Sequence, residues 1–139
     1  MQVGDQTKQI VSIQSPRPYV GSFSRDMTLA TGSSSVTGLP FRPSAISINC
    51  IQNGVGEMHS NGWVGYDTDD TTVKNVCVIK IPNTTWDASG LLGMIYQNAA
   101  PLTRYYGSIT SFDADGFSID WIKVGSTTGT MTCYFMAFK

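Results

Sequence analysis

The residues best suited to chemistry are few, and their spacing matches no catalytic or metal-binding pattern. His59 is the only histidine, and its surroundings offer neither cysteines at zinc-finger spacing nor a Gly-x-Ser-x-Gly elbow. Glu57 is the only glutamate, whereas glycoside hydrolysis needs a pair of carboxyl groups. We therefore interpret His59 as a loop residue beside Asn61 and Gly62. The sequence predicts a protein that is not an enzyme, with a polysaccharide hydrolase dependent on Glu57 as a minor alternative.

Two acidic turns could attract a cation. Asp113-Ala-Asp-Gly116 begins like a calcium-binding loop, but it lacks the further oxygen ligands and the closing glutamate at the twelfth position. We interpret it as a β-turn, with Gly116 at the position that requires positive φ. The second turn contains three acidic residues, Asp67, Asp69 and Asp70. We interpret it as a solvated loop and keep a bound cation as the alternative. No cofactor is expected.

The three cysteines are predicted to be small buried hydrophobes. Cys50, Cys77 and Cys133 each lie in an apolar run. Their odd number argues against a disulfide framework, although one bridge plus a free thiol stays open. The N-terminal residues lack the features of a signal peptide, and no apolar run reaches the length of a membrane span. We expect synthesis in a reducing cytoplasm and no membrane partner.

The charge content indicates a protein that works within an assembly. Charged residues make up only 14% of the 139-residue chain, compared with about 25% in an average soluble domain. A chain this poor in charge usually hides much of its surface from water. The net charge of −1 excludes a strongly basic protein that binds nucleic acid.

The composition predicts an all-β fold. Val, Ile, Thr and aromatic residues, which favour strands, greatly outnumber Leu, Ala, Glu and Lys, which favour helices. Short apolar runs alternate with turn residues such as Gly32-Ser-Ser-Ser35, which is typical of a single antiparallel β-sandwich, here expected to be jelly-roll-like. Segment 86–94 is expected to form a strand or irregular loop rather than a helix. The predicted strands cover 19–24, 27–31, 45–52, 63–67, 75–81, 91–97, 105–112, 117–124 and 130–138.

The first 18 residues differ from the sandwich domain expected over residues 19–139. They are rich in Gln and Ser and end in Pro-Arg-Pro, which cannot enter a central strand. Ile10 and Ile13 are apolar members of a weak alternation, and Arg17 lies between the two prolines. An attachment arm and an edge strand are both compatible with this pattern.

The last strand has two apolar faces. Met131, Cys133, Phe135 and Ala137 alternate with a second set formed by Tyr134, Met136 and Phe138. Because a sandwich core covers only one face of a strand, the second set must be covered by another segment of the chain or by a neighbouring subunit. We favour a subunit interface.

Exposed aromatic rings would support a different function. Trp63, Tyr66 and Trp86 have flat faces and polar edges that suit a sugar ring. In a β-sandwich such residues more often belong to the core or to an interface, so glycan binding is kept as the alternative.

Two stretches carry a family resemblance. Residues 38–48 read GLPFRPSAISI, and residues 106–130 combine a hairpin, the Asp113–Gly116 turn and a second glycine turn before the closing YFMAF at 134–138. Together they resemble small β-sandwich domains of virion proteins from tailed bacteriophages. The first stretch and the closing strand are also faintly similar to H-type lectins, without a matching sugar-binding motif.

The resemblance implies a non-enzymatic virion protein. Because no fibrous stalk precedes the domain, we expect a capsid decoration protein on the head, made in the host cytoplasm, rather than a tail component. The expected partners are further copies of the chain, as a trimer or next as a dimer, and the major capsid protein or another virion protein. The arm would supply attachment through Ile10, Ile13 and Arg17. The alternative is a receptor-binding or lectin-like tail-fibre module that recognises host glycan.

Overall fold

The fold consists of β-strands joined by short connections. The computed structural model describes residues 17–53, 59–66, 72–81, 84–90, 93–99 and 102–139, and within these ranges there is no helix. None of these residues therefore belongs to a helix that could cross a bilayer. The strands are β1 (Tyr19–Asp26), β2 (Gly32–Val36), β3 (Ala45–Gln52), β4 (His59–Tyr66), β5 (Val73–Ile81), β6 (Thr84–Ser89), β7 (Gly93–Ala99), β8 (Leu102–Asp113), β9 (Gly116–Val124) and β10 (Thr130–Phe138).

The strands form two antiparallel sheets. The six-stranded sheet has the order β1-β10-β3-β4-β5-β6, and the four-stranded sheet has the order β2-β9-β8-β7. The first two strands pair with the last two, β1 with β10 in one sheet and β2 with β9 in the other. Between them the chain runs as two meanders, β3 to β6 and β7 to β9. The predicted all-β sandwich is confirmed.

Side chains from both sheets fill one core. The strand period of two sends alternate residues inward, so Ile46 and Ile48 of β3 and Phe135 of β10 meet Phe117 and Ile119 of β9. The rings of Phe117 and Phe135 are 5.3 Å apart in an edge-to-face arrangement, a favourable geometry for aromatic pairs. This packing buries the predicted inward set of β10, including Met131, Cys133 and Ala137.

A buried amide connects the two sheets. The side chain of Asn75 on β5 donates from Nδ2 to the Ile109 carbonyl oxygen of β8 at 2.9 Å. Its Oδ1 accepts from the Ile109 backbone N–H, also at 2.9 Å. Ile109 lies two residues beyond Gly107, where the pairing of β8 with β7 ends. Asn75 therefore satisfies backbone groups on the β7 side of β8, beyond the described end of β7, while β9 continues to pair with β8 on its other side.

Two glycines allow close approach within the four-stranded sheet. The ring of Trp121 covers Gly107, where an added Cβ would lie 2.6 Å from the ring. At Gly116 an added Cβ would collide with the backbone of Val36. The expectation of positive φ at Gly116 is wrong, since the positive values occur at other glycines such as Gly125 and Gly129. The turn needs glycine there because the β2 backbone passes against it.

The prediction for residues 27–35 is wrong. The expected strand 27–31 is a turn, in which the Asp26 carboxylate accepts hydrogen bonds from the backbone and hydroxyl of Thr28 at 2.8 and 2.7 Å. These bonds lower the pKa of the Asp26 carboxyl.

The serines expected in a turn form β2 instead. They bond to β9, since Ser33 donates to Asp120 at 2.6 Å and Ser34 accepts from the Trp121 indole at 2.8 Å.

Replacing Asn75 with alanine should destabilise the fold strongly. The variant leaves the Ile109 N–H and carbonyl without a side-chain partner, at a cost of about 3 kcal/mol in the free energy of unfolding. Urea unfolding followed by fluorescence measures this loss. Ser126→Ala is the control, because Ser126 is exposed in the turn between β9 and β10, outside both the core and the six-stranded sheet, and its removal should cost less than about 0.5 kcal/mol. Equal stabilities of the two variants would contradict the role of Asn75.

Candidate functional site: the outer face of the six-stranded sheet

The side of the six-stranded sheet that points away from the core is its outer face. On β1, β10, β3, β4 and β5 every second residue belongs to this face. Seven large apolar side chains on it are exposed, and they come from all five strands. They are Val20, Ile51, Trp63, Val76, Val78, Tyr134 and Met136.

One row of the outer face is almost wholly apolar. Backbone register places Val20 opposite Met136, Met136 opposite Ser47, Ser47 opposite Trp63 and Trp63 opposite Val76. Directly opposed side chains on neighbouring strands are about 5 Å apart and contact one another. The row therefore forms an apolar band across five strands that is interrupted only by the Ser47 hydroxyl on β3, with Trp63 59% exposed and Met136 40% exposed.

The next row of the outer face combines apolar and amide groups. Tyr134 of β10 is opposite Asn49 of β3, Asn49 is opposite Asn61 of β4, and Asn61 is opposite Val78 of β5. Tyr134 is 52% exposed, and both asparagines are exposed as well. These amides can donate and accept hydrogen bonds beside the apolar band.

The outer face of the four-stranded sheet has the opposite character. Its centre consists of hydroxyls and carboxylates that bond to each other: Ser33 donates to Asp120 at 2.6 Å, and Ser118 donates to Asp113 at 2.8 Å. Among the described side chains of β2, β8 and β9, the exposed large apolar exception is Ile122, at 40% exposure. A polar outer face is what a solvated sheet requires, and the described side chains of β2, β8 and β9 fit that requirement better than those of the six-stranded sheet.

Among the described outer-face side chains of β1, β10, β3, β4 and β5, the charged ones lie near the ends of the strands. Asp26 is the last residue of β1, and Lys74 is near the start of β5; both are exposed. The register places them at diagonally opposite corners of the face. Within the two rows described above, the described side chains from β1 to β5 carry no formal charge, so association through this region would bury little charge.

The predicted interface residues lie on this face. Tyr134 and Met136 are exposed on it, whereas Phe138, at its margin, is half-buried. The Phe138 carbonyl accepts a hydrogen bond from the Ser44 backbone N–H at 2.8 Å, which holds the end of β10 against the connection before β3. The structure thus places two of the three predicted side chains in the two central rows of the outer face, on β10 beside the edge strand β1.

The predicted glycan-binding residues do not form one platform. Trp63 is on the outer face, but Tyr66 points to the other side of β4 and packs edge-to-face on Phe112, with ring centroids 5.2 Å apart. Tyr66 lies at the margin of the core. Trp86 is on β6, and its side chain lies outside the described part. A sugar on the outer face would meet Trp63 without Tyr66.

His59 and the Asn61-Gly62 pair are strand residues, which corrects the loop prediction. All three belong to β4 and pair with Ile51, Asn49 and Ile48 of β3 in turn. Asn-Gly suggests a turn locally, but here Gly62 lies buried over the core and Asn61 faces outward. No cluster of three metal-ligating side chains occurs within the described ranges.

Several predicted site residues fall outside the described ranges. They are Ile10 and Ile13 of the arm, the acidic residues Asp67, Asp69 and Asp70, and Glu57. Arg17 is described and is exposed just before β1.

Sequence reasoning missed four members of the outer face: Val20, Ile51, Val76 and Val78. The segment Val76-Cys-Val-Ile79 contains the relevant signal, since it is apolar at both strand parities, as is β10. Only the strand order brings these residues beside Met136 and Trp63.

Comparisons with known proteins found no match that bears on the function of this face. No family model, no curated protein and no solved structure matches the chain significantly.

Proposed function

We infer that this protein is a non-enzymatic structural component of a tailed-phage virion, a capsid decoration protein that self-associates through the outer face of its six-stranded sheet. The observation that carries the self-association is the contrast between the two outer faces. On β2, β8 and β9 the outer face of the four-stranded sheet carries bonded hydroxyls and carboxylates, with Ile122 as the one exposed large apolar side chain among those described, whereas the outer face of the six-stranded sheet exposes seven. Contiguous exposed apolar surface of this kind marks an interaction site.

The outer face is large enough for a stable contact. Five strands spaced about 4.8 Å apart and seven residues long at about 3.4 Å each give a patch of roughly 24 by 24 Å. Its projected area of roughly 600 Å² approaches the 800 Å² that each partner buries in a standard interface. Protruding side chains such as Trp63 increase the accessible area above this projection.

A second copy of the chain suits this face. Two copies related by a twofold axis lying in the face present the same patch to each other. Because Asp26 and Lys74 occupy diagonal corners, one such axis brings Asp26 of each copy toward Lys74 of the other. The apolar band of one copy then packs against the apolar band of the other. The two ion pairs at the margin fix the relative orientation of the two copies and add little to the affinity. This arrangement favours the dimer; a trimer needs a second contact surface.

The virion role rests on the family resemblance. The resembling stretch 106–130 corresponds to most of the β8–β9 hairpin and the turn after it, and the closing stretch 134–138 lies in β10. The same strand carries Tyr134 and Met136, so the resemblance and the outer face share residues. In the proposed virion the sandwich oligomer binds the major capsid protein, with Ile10, Ile13 and Arg17 in the attachment arm, and adds contact area that resists internal pressure.

Removing apolar groups from the outer face should produce a folded monomer. We expect the unmodified chain to sediment at twice its 15.1 kDa mass. Trp63→Ser/Met136→Ser should weaken association by about 1000-fold or more, because buried interface anchors of this type are worth at least about 2 kcal/mol each and about 1.4 kcal/mol corresponds to a factor of ten. Sedimentation velocity over a concentration series measures the change, and circular dichroism checks the fold.

The matched control is Leu29→Ser/Ile122→Ser, which removes apolar side chains of similar exposure, 47% and 40%, from outside the outer face. It should associate like the unmodified chain. An unmodified chain that is monomeric at every concentration would contradict the proposal.

Localisation on particles tests the virion role. Immunogold labelling of intact virions from the source of this sequence should place the protein at regular positions over the head. Label confined to the tail would overturn the decoration role, and particles without label would overturn the virion assignment altogether.

Glycan recognition by a tail module is the second candidate, favoured by Trp63. Its exposed indole lies beside Asn61 and across β3 from Tyr134, and a flat ring next to amide groups suits a sugar. This candidate predicts binding to host polysaccharide that Trp63→Ala abolishes and Ile122→Ala preserves, measured by calorimetry. If the unmodified chain associates with itself and binds no host polysaccharide in the same measurement, this candidate is rejected.

A further inference from the structure

Two cysteine side chains meet inside the six-stranded sheet. Cys50 of β3 and Cys133 of β10 are directly opposite each other in the register. Their Sγ atoms are 2.7 Å apart, and both residues are almost completely buried. Directly opposed residues of antiparallel strands have Cα atoms about 4.5 to 5.5 Å apart, which lies within the range of about 4.4 to 6.8 Å that a disulfide requires.

We propose that Cys50 and Cys133 form a disulfide between β3 and β10 when the protein folds in, or opens transiently to, an oxidising environment, and that Cys77 stays a thiol. This proposal concerns the fold and is independent of the virion role.

The sheet register excludes Cys77 from the bond. Cys77 of β5 is opposite Gly62 of β4, and Gly62 is opposite Ile48 of β3. Cys77 is therefore two strands and two residues away from Cys50, which corresponds to a Cα separation of roughly 12 Å. Cys133 is one strand farther away. Neither pair can meet the disulfide range without movement of the backbone.

A small-molecule disulfide such as oxidised glutathione is the oxidant. The thiolate of one cysteine attacks a glutathione sulfur, forms a mixed disulfide and releases one glutathione, which takes up a proton. The second cysteine, as its thiolate, attacks the protein sulfur of the mixed disulfide and releases the second glutathione, again with a proton. The two protein thiols lose two electrons and two protons, and one glutathione disulfide becomes two thiols.

The folded protein should react slowly with this oxidant. Burial raises the pKa of Cys133 well above its ordinary value and raises the pKa of Cys77 to about 11, and the thiolate is the reactive species. Bond formation therefore proceeds mainly during folding or during local opening of β10. In a reducing cytoplasm the pair stays reduced.

The bond would stabilise the strand that carries the outer face. It links positions separated by 83 residues along the chain, and closing a loop of this length restricts the unfolded chain strongly. For a domain of this size the expected rise in the melting temperature is about 10 °C.

Oxidative refolding tests the pairing without depending on access to the buried sulfurs. The full chain is reduced in denaturant and diluted into a mixture of reduced and oxidised glutathione, so that all three thiols react from the start. Peptide mapping by mass spectrometry should find Cys50 linked to Cys133, with loss of two hydrogen atoms and with Cys77 outside any intrachain bond. The same mixture kept in denaturant is the control for pairing without the fold.

Cys77→Ser is the matched variant, because it removes the third buried cysteine and should retain both the bond and the higher melting temperature of the oxidised form. Cys50→Ser and Cys133→Ser should lose both. A native state that refolds without an intrachain bond, that links Cys77 instead, or that melts no higher when oxidised would overturn the proposal.

Discussion

The core of this sandwich covers one face of each sheet. The side chains on the opposite, outer face therefore decide whether that face is solvated or can be covered by a partner. A strand alternates its side chains with a strict period of two, so β10 cannot bury Phe135 without turning Tyr134 and Met136 outward. Strands β2, β8 and β9 of the four-stranded sheet meet this constraint with serine and aspartate side chains that bond across the strands. The six-stranded sheet meets it with valine, methionine and tryptophan, which water does not solvate well. The low charge content of the chain is thus accounted for in part by the apolar outer face of the six-stranded sheet, which a second copy can cover.

The core supplies a rigid support for this surface. Edge-to-face aromatic pairs and the double hydrogen bond of Asn75 to Ile109 hold the two sheets together. Strand β10 lies between β1 and β3, so its outer side chains are fixed by backbone pairing on both sides. A preorganised face loses little conformational entropy on association. The opposed sulfurs of Cys50 and Cys133 lie directly beneath this face and could make the support covalent.

The parts of the fold that the sequence predicts well are those where apolar alternation is strong. The bounds of β3 and β10 were predicted without error, and β9 begins one residue earlier than expected. Strand β2 was missed because a run of serines resembles a turn, whereas bonds from Ser33 and Ser34 to β9 stabilise it. Asn61 and Gly62 were misplaced in a loop because their turn propensity is local, and pairing on both sides of β4 overrides it.

The candidate site could be predicted only in part. Tyr134 and Met136 could be predicted because the nine residues of β10 alternate between two sets that are both largely apolar, which is unusual for a strand with one solvated face. The rest of the outer face depends on sheet order, which places Val20, Trp63 and Val76 in one row although they are far apart in the chain. The side to which Tyr66 points depends on the strand register, which separates it from Trp63. Sequence patterns identify the faces of single strands, but the surface forms only when the strands are ordered.

Hydroxyl-radical footprinting at increasing protein concentration tests the central claim most directly. If a second copy covers the outer face, oxidation of Trp63, Tyr134 and Met136 should fall as the protein associates, while oxidation of Ile122 on the opposite side stays constant. Oxidation of the outer-face residues that does not change while the protein associates, or protection at Ile122 instead, would contradict the account.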